Sequence, residues 1–170
     1  MRYYKELGLR VGIACLLNPF VLYFLFFPLT LILTYVFLFW MPATLSFAAK
    51  TILIRDVPFQ FIKACIAPSA YFLLTLLVML TKDISWKVRI KSWLTGVALI
   101  LGMNILRIIV VIFVFLYLGK GSFDSIHLFF WDFFSTLYVF FVWVFLVYKF
   151  KIKSIPLVGD VKTLYRKIKH

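Results

Sequence analysis

The sequence predicts an all-α membrane protein, a bundle of four or five transmembrane helices. Three observations carry this expectation. Of the 170 residues, 65% are hydrophobic and 21% aromatic. Only 15% are charged, against about 25% in an average soluble domain, so a soluble chain of this length has more apolar surface than one core hides. Mainly apolar stretches also recur at about the ~20 residues a helix needs to cross the hydrocarbon layer. The charges are lopsided, 19 Lys and Arg against 6 Asp and Glu, for a net +13. In so apolar a chain, basic loops facing anionic lipid account for that excess and a nucleic-acid partner does not.

Taken in order, the first apolar stretch is the 39 uncharged residues from Val11 to Ala49. As one straight helix it is about 58 Å long, nearly twice the hydrocarbon thickness. It must therefore break, and Asn18-Pro19, Pro28 and Pro42 are the candidate breaks. Two arrangements follow. In one, Val11–Trp40 is a tilted, kinked span, followed by an interfacial helix with Leu45, Ala48, Ala49, Ile52 and Leu53 on one stripe. In the other, Val11–Phe27 and Thr30–Ile54 form a hairpin of two spans. The placement of Arg2, Lys5 and Arg10 favours the first, and length favours the second. Both leave Lys50 and Arg55 outside. The stretch is too long for the apolar region of a cleaved signal peptide, so none is expected.

Three clearer spans follow, at Ile62–Thr81, Ile90–Leu118 and Leu128–Phe150. The segment Lys82–Lys91 between the first two holds four basic residues and one acid. The tail after the third holds Lys149, Lys151, Lys153, Lys162, Arg166, Lys167 and Lys169. The positive-inside rule assigns both to the cytoplasm. The start of the first clear span, near Cys65, and the Gly119–Ile126 loop then lie outside. Residues 1–170 read as a single integral-membrane domain. Its parts are an N-terminal span or hairpin (1–60), a three-helix core (61–150) and a basic cytoplasmic tail (151–170). In the four-span reading, 14 of the 19 basic residues fall inside, four fall outside (Lys50, Arg55, Lys63 and Lys120) and one, Arg107, falls in the bilayer.

Ionisable residues within apolar spans are costly and point to function. Arg107 is foremost. It lies roughly 25 Å along its helix from Ile90, in the outer half, and an Arg at a helix centre costs about 2.5–3.5 kcal/mol on insertion scales. Asn104, three residues earlier, shares nearly the same face and is placed to orient the guanidinium or bond a substrate. Cys65 stands just before Pro68, a residue suited to the first turn of a helix. That puts the thiol near a helix N-terminus, where free N–H groups favour a thiolate, with Lys63 adding positive charge and Ser69 one turn on. His127 opens the last span, and Asp132 follows five residues later, a poor spacing for sharing a face. Cys15 has no polar company and reads as inert. Two cysteines make no disulfide framework, and with no CxxC or HExxH no metal and no cofactor are expected.

Cys65, Arg107 and His127 come from three different spans, and charge placement alone puts all three in the outer leaflet. Together they suit acyl transfer: a thiol nucleophile, an imidazole to move its proton, and a guanidinium to hold the developing oxyanion.

At these residues the chain resembles the exosortase/archaeosortase family of integral-membrane cysteine transpeptidases, most of all its small archaeal members. The matching features are Ala64-Cys65 at the outer start of a span, Asn104-Ile105-Leu106-Arg107-Ile108 in the next, and His127 near the start of the one after. The resemblance covers Phe59 to about Phe150. Many members carry Gly or Thr close after the Cys, where this chain has Ile66, Ala67 and Pro68. The resemblance implies catalytic roles for Cys65, Arg107 and His127, with Asn104 and Ser69 in support. It implies cleavage of exported proteins at a C-terminal sorting signal made of a short motif, a transmembrane helix and a basic cluster. The new C-terminus would pass to a membrane lipid or another acceptor. The alternative is a non-enzymatic small carrier or assembly protein in which Arg107 binds an anionic lipid headgroup.

Overall fold

The structure is a computed structural model and describes residues 2–129, 135–152 and 156. It is mostly helical. Helices α1 (Arg2–Leu16) and α2 (Pro19–Phe37) lead into a sheet of β1 (Ala43–Ser46), β2 (Thr51–Ile54) and β3 (Val57–Gln60). One helical turn, α3 (Lys63–Ile66), then precedes α4 (Pro68–Met79), α5 (Trp86–Phe129) and α6 (Ser135–Lys149). Helix α5 is interrupted at Gly119, whose φ of 80° and ψ of 178° lie outside helical geometry. Two helices, Pro19–Phe37 and Trp86–Gly119, are long and apolar enough to cross a membrane; Pro68–Met79 and Leu137–Lys149 are apolar but shorter.

The break between α1 and α2 falls at Asn18-Pro19, one of the expected sites. Asn18 Oδ1 accepts from the N–H groups of Phe20 (2.9 Å) and Val21 (3.0 Å), and Pro19 occupies a first-turn position where no N–H is needed. Pro28 lies inside α2 without ending it. The chain does not double back after the break. Helix α1 meets α4 at its far end, where Arg10 Nε donates to the Met79 carbonyl (2.7 Å). Helix α2 meets α4 near its start, where Phe26 stacks on Tyr71 with ring centroids 4.0 Å apart. The chain thus travels along α4 from end to start as one broken rod. Helix α2 ends at Phe37 and strands follow from Ala43, so Thr30–Ile54 is not one helix and the hairpin of Val11–Phe27 with Thr30–Ile54 is corrected.

The expected interfacial helix is also corrected. Residues 43–60 form a three-stranded antiparallel meander in the order β1-β2-β3, so the fold is not all-α. Ala43 pairs with Ile54 and Ser46 with Thr51; Thr51 pairs in turn with Gln60 and Ile54 with Val57. The stripe of Leu45, Ile52 and Leu53 fits a helix by spacing. It loses to β-branched and aromatic content in Thr44, Thr51, Ile52, Ile54, Val57 and Phe59, and to the turn at Arg55-Asp56. Both turn residues have positive φ (48° and 64°), the geometry of a two-residue hairpin loop. Ile52 and Ile54 face inward and are fully buried.

Helices α4, α5 and α6 meet around Gly96. A Cβ there would lie 2.7 Å from a Leu74 methyl and 3.0 Å from one of Leu146, so the small residue lets the helices close. Tyr138 fastens α6 by donating to the Leu99 carbonyl (3.0 Å). Trp93 Nε1 donates to Thr75 Oγ1 (2.9 Å), tying α5 to α4. The open end of α4 is closed by cations. Arg89, 2% exposed, donates to the carbonyls of Val78, Met79 (2.9 Å) and Thr81 (3.0 Å). A helix C-terminus leaves such carbonyls unpaired and carries negative partial charge, so guanidinium groups suit it.

Candidate active site

Pro68 shapes the cysteine turn. A proline disfavours αR backbone in the residue before it, so Ala67 cannot join α3 to α4 as continuous helix. Ala67 takes the left-handed conformation instead (φ 52°, ψ 50°) and closes α3 with a bond from its N–H to the Lys63 carbonyl. Pro68 then opens α4 in the expected first-turn position. The expected span Ile62–Thr81 is therefore broken at Ala67, and Cys65 sits in a separate turn ahead of α4.

That turn is held from α5. Asn104 Nδ2 donates to the Cys65 carbonyl at 2.7 Å. One turn on, an Arg107 terminal nitrogen donates to the Ala64 carbonyl at 3.0 Å. The spacing of three places both side chains on one face of α5. Asn104 is 6% exposed and Arg107 9%. A guanidinium carries about five N–H donors, and among the described residues a protein acceptor takes up only one from Arg107. No acidic partner for Arg107 occurs among the described residues.

Cys65 and Arg107 line one cavity of about 210 Å³. Its other walls are β3 with Phe61 on one side and Ile108, Val111, Ile112 and Phe115 of α5 on the other. Phe59 and Phe115 meet edge to face across it, with centroids 5.4 Å apart. The arrangement offers a half-buried thiol, a cation with spare donors beside it, and mainly apolar walls, beside which the field of a cation is stronger than in bulk water.

Of the expected site residues, the structure brings together Cys65, Arg107 and Asn104. Ser69 is exposed and does not line the cavity, because the left-handed Ala67 destroys the helical register that would stack it against Cys65. His127 lies in the helical segment after Gly119, but its side chain is outside those described, and Asp132 lies outside the described residues. Lys63 is exposed and borders a separate cavity with Lys50 and Pro68. Cys15 is exposed. Among the described residues no group of three or more His, Cys, Asp or Glu is placed to hold a metal ion.

Sequence reasoning missed Tyr71. It is fully buried, its hydroxyl has no hydrogen-bond partner among the described residues, and it lies within Coulomb range of Arg107, as Cys65 does. The signal was present in the polar tip of an aromatic residue six positions after the cysteine, inside an apolar stretch. Comparison of the chain with protein-family models, with curated proteins and with solved structures finds no match.

Proposed function

We infer that this chain is a polytopic membrane protein with four spans, and that it acts as a cysteine transpeptidase or protease on the outer face. The observation that supports the chemistry is the shared cavity of Cys65 and Arg107, with Asn104 fixing the cysteine turn. The thiolate attacks the carbonyl carbon of a scissile peptide bond. The free donors of Arg107 stabilise the oxyanion in a water-poor site. His127 takes the thiol proton and returns it to the leaving amine. The C–N bond breaks and a thioester remains on Cys65. A lipid hydroxyl, an amine or water then attacks that thioester, releases the acyl group and regenerates the thiol.

The membrane reading is supported by the outward-facing aromatics. Phe20, Phe24, Phe39, Phe140, Phe141 and Tyr148 are all exposed, an apolar surface suited to lipid. The same reading places Arg10, Arg89 and the Met79 end of α4 in the cytoplasm, with Cys65 and the sheet outside. Substrates are exported proteins that end in a short motif, a transmembrane helix and a basic cluster.

The test is co-expression with such a protein, ideally one encoded nearby. Cys65→Ala and Arg107→Ala are expected to abolish processing while the protein stays inserted, and Cys65→Ser to reduce it severely. His127→Ala is likewise expected to stop cleavage, because the thiol then keeps its proton and the leaving amine receives none. Full processing by Cys65→Ala refutes the reading. The non-enzymatic alternative, with Arg107 holding an anionic headgroup, predicts instead that thiol alkylation leaves function intact.

A further inference from the structure

The wall of the cavity opposite α5 is a strand edge. In the order β1-β2-β3 the last strand has a partner on one side only. Which of its backbone groups face outward follows from the ladder. The two-residue loop at Arg55-Asp56 makes Ile54 and Val57 a hydrogen-bonded pair, and such pairs alternate with non-bonded ones along an antiparallel ladder. Ile52 and Phe59 are therefore bonded, and Leu53–Pro58 and Thr51–Gln60 are not. The bond from the Phe61 N–H to the Lys50 carbonyl (2.8 Å) fixes the same phase independently. Pro58 and Gln60 thus turn their main-chain groups away from β2. Pro58 sits where its missing N–H breaks no ladder bond. The outward row consists of the Pro58 carbonyl and both the N–H and the carbonyl of Gln60, and among the described residues no hydrogen bond reaches them.

This edge borders the cavity. Val57, Pro58, Phe59, Gln60 and Phe61 all line it, whereas a sheet face would contribute alternate residues only. The Gln60 end of the edge lies nearest in the chain to Cys65, and Arg107 waits beside the thiol with unused donors.

We propose that the substrate binds as an added strand on β3, an extended polypeptide segment pairing with Gln60 and Pro58 and ending with its scissile carbonyl between Cys65 and Arg107. The proposal rests on the cysteine-enzyme reading above and specifies how that enzyme holds its substrate. An extended peptide satisfies the open row of donors and acceptors, which a lipid tail leaves unpaired. The unmatched positive charge of Arg107 likewise calls for an electron-rich group such as a carbonyl oxygen, which an acyl chain lacks. Pro58 sets the pattern. The substrate residue opposite Gln60 exchanges two bonds, the residue opposite Pro58 donates one, and the residue between them faces away.

The test uses the full-length protein in membranes. A library of biotinylated tetrapeptide vinyl sulfones, randomised in sequence, serves as the probe, with iodoacetamide as a measure of thiol access. N-methylation of the probe backbone is scanned one amide at a time. Labelling of Cys65 is expected to fall about five- to tenfold at alternate amides, one lost hydrogen bond at a time, and to be unchanged at the amide between. Gln60→Pro, which removes an N–H the ladder does not use, is expected to lower the ratio of peptide to iodoacetamide labelling by a similar factor. Labelling that is indifferent to N-methylation overturns strand addition and leaves the cysteine enzyme standing. A palmitoyl vinyl sulfone that labels better than every peptide also overturns it and assigns the groove to lipid. A Cys65 that reacts with none of the reagents overturns the enzyme reading itself, and strand addition with it.

Discussion

Arg89 offers the most quantitative test of the fold around the site. Its guanidinium closes the buried end of α4 by bonding the carbonyls of Val78, Met79 and Thr81. Arg89→Met keeps the length of the stem and removes the donors. The Met79 carbonyl keeps Arg10 as a donor at 2.7 Å, so the two buried bonds to the Val78 and Thr81 carbonyls are lost, with the long, half-buried one to the Ile84 carbonyl (3.5 Å). A buried acceptor left unpaired costs about 1–3 kcal/mol, so the two together cost about 2–6 kcal/mol. For a chain of this size that is a melting shift of about 4–24 °C. The assay is thermal unfolding in detergent, followed by size-exclusion chromatography of the heated protein. Lys87→Met on the exposed side of the same helix is the control and should not move. Arg89→Lys should recover less than half of the loss, because one ammonium does not span acceptors lying in different directions. Combining Arg89→Met with Arg10→Met strips the Met79 carbonyl of both donors, so the double variant should lose more than the sum of the two. A melting point within 2 °C (about the shift that half a kcal/mol gives) for Arg89→Met would refute the capping argument.

Other predictions concern the cysteine turn. Asn104→Leu removes the bond to the Cys65 carbonyl and is expected to slow substrate processing about ten- to hundredfold, as misplacement of a reacting group does, while iodoacetamide still labels the thiol. Ala67 has a left-handed backbone, so Ala67→Gly should keep both stability and processing. Ala67→Val should cost about 1–2 kcal/mol more than in ordinary backbone, read as a lower melting temperature. Tyr71→Phe removes a buried hydroxyl that has no partner among the described residues and should hold or raise thermal stability. A fall in processing in the same variant would show that the hydroxyl serves the reaction.

The legible parts of the fold were those set by neighbours in sequence. Asn18 and Pro19 form a cap and a first turn within four residues, so that break could be read directly. Asn104 and Arg107 share a helix face at a spacing of three, and their cost in an apolar stretch marked them out. The meander stayed hidden because its strands are four residues each, too short for a period to declare itself between long apolar helices. Ser69 was misread because its register depended on the conformation of Ala67, which Pro68 decides. Arg10 and Arg89 were counted only as markers of sidedness. Their acceptors are main-chain carbonyls of another helix, and no residue type at those positions announces a free carbonyl.

The contact between Arg10 and Met79 also bears on how the chain is made. Its two halves are separated by 69 residues, so a ribosome completes α1 and α2, the meander and α4 before the contact forms. Until then the Met79 carbonyl is not there to accept from Arg10, which in the proposed topology lies on the cytoplasmic side, where synthesis occurs. In that topology its charge holds the first helix there while the following span inserts. Only when α4 arrives is the same side chain drawn in to cap it. In the proposed topology one arginine thus acts twice during biogenesis, first as an anchor against translocation and then as a latch. Loss of Arg10 is therefore expected to show first in newly made protein, as inverted or unassembled chains in a pulse-chase protease-protection assay, before it shows in the melting of the mature form.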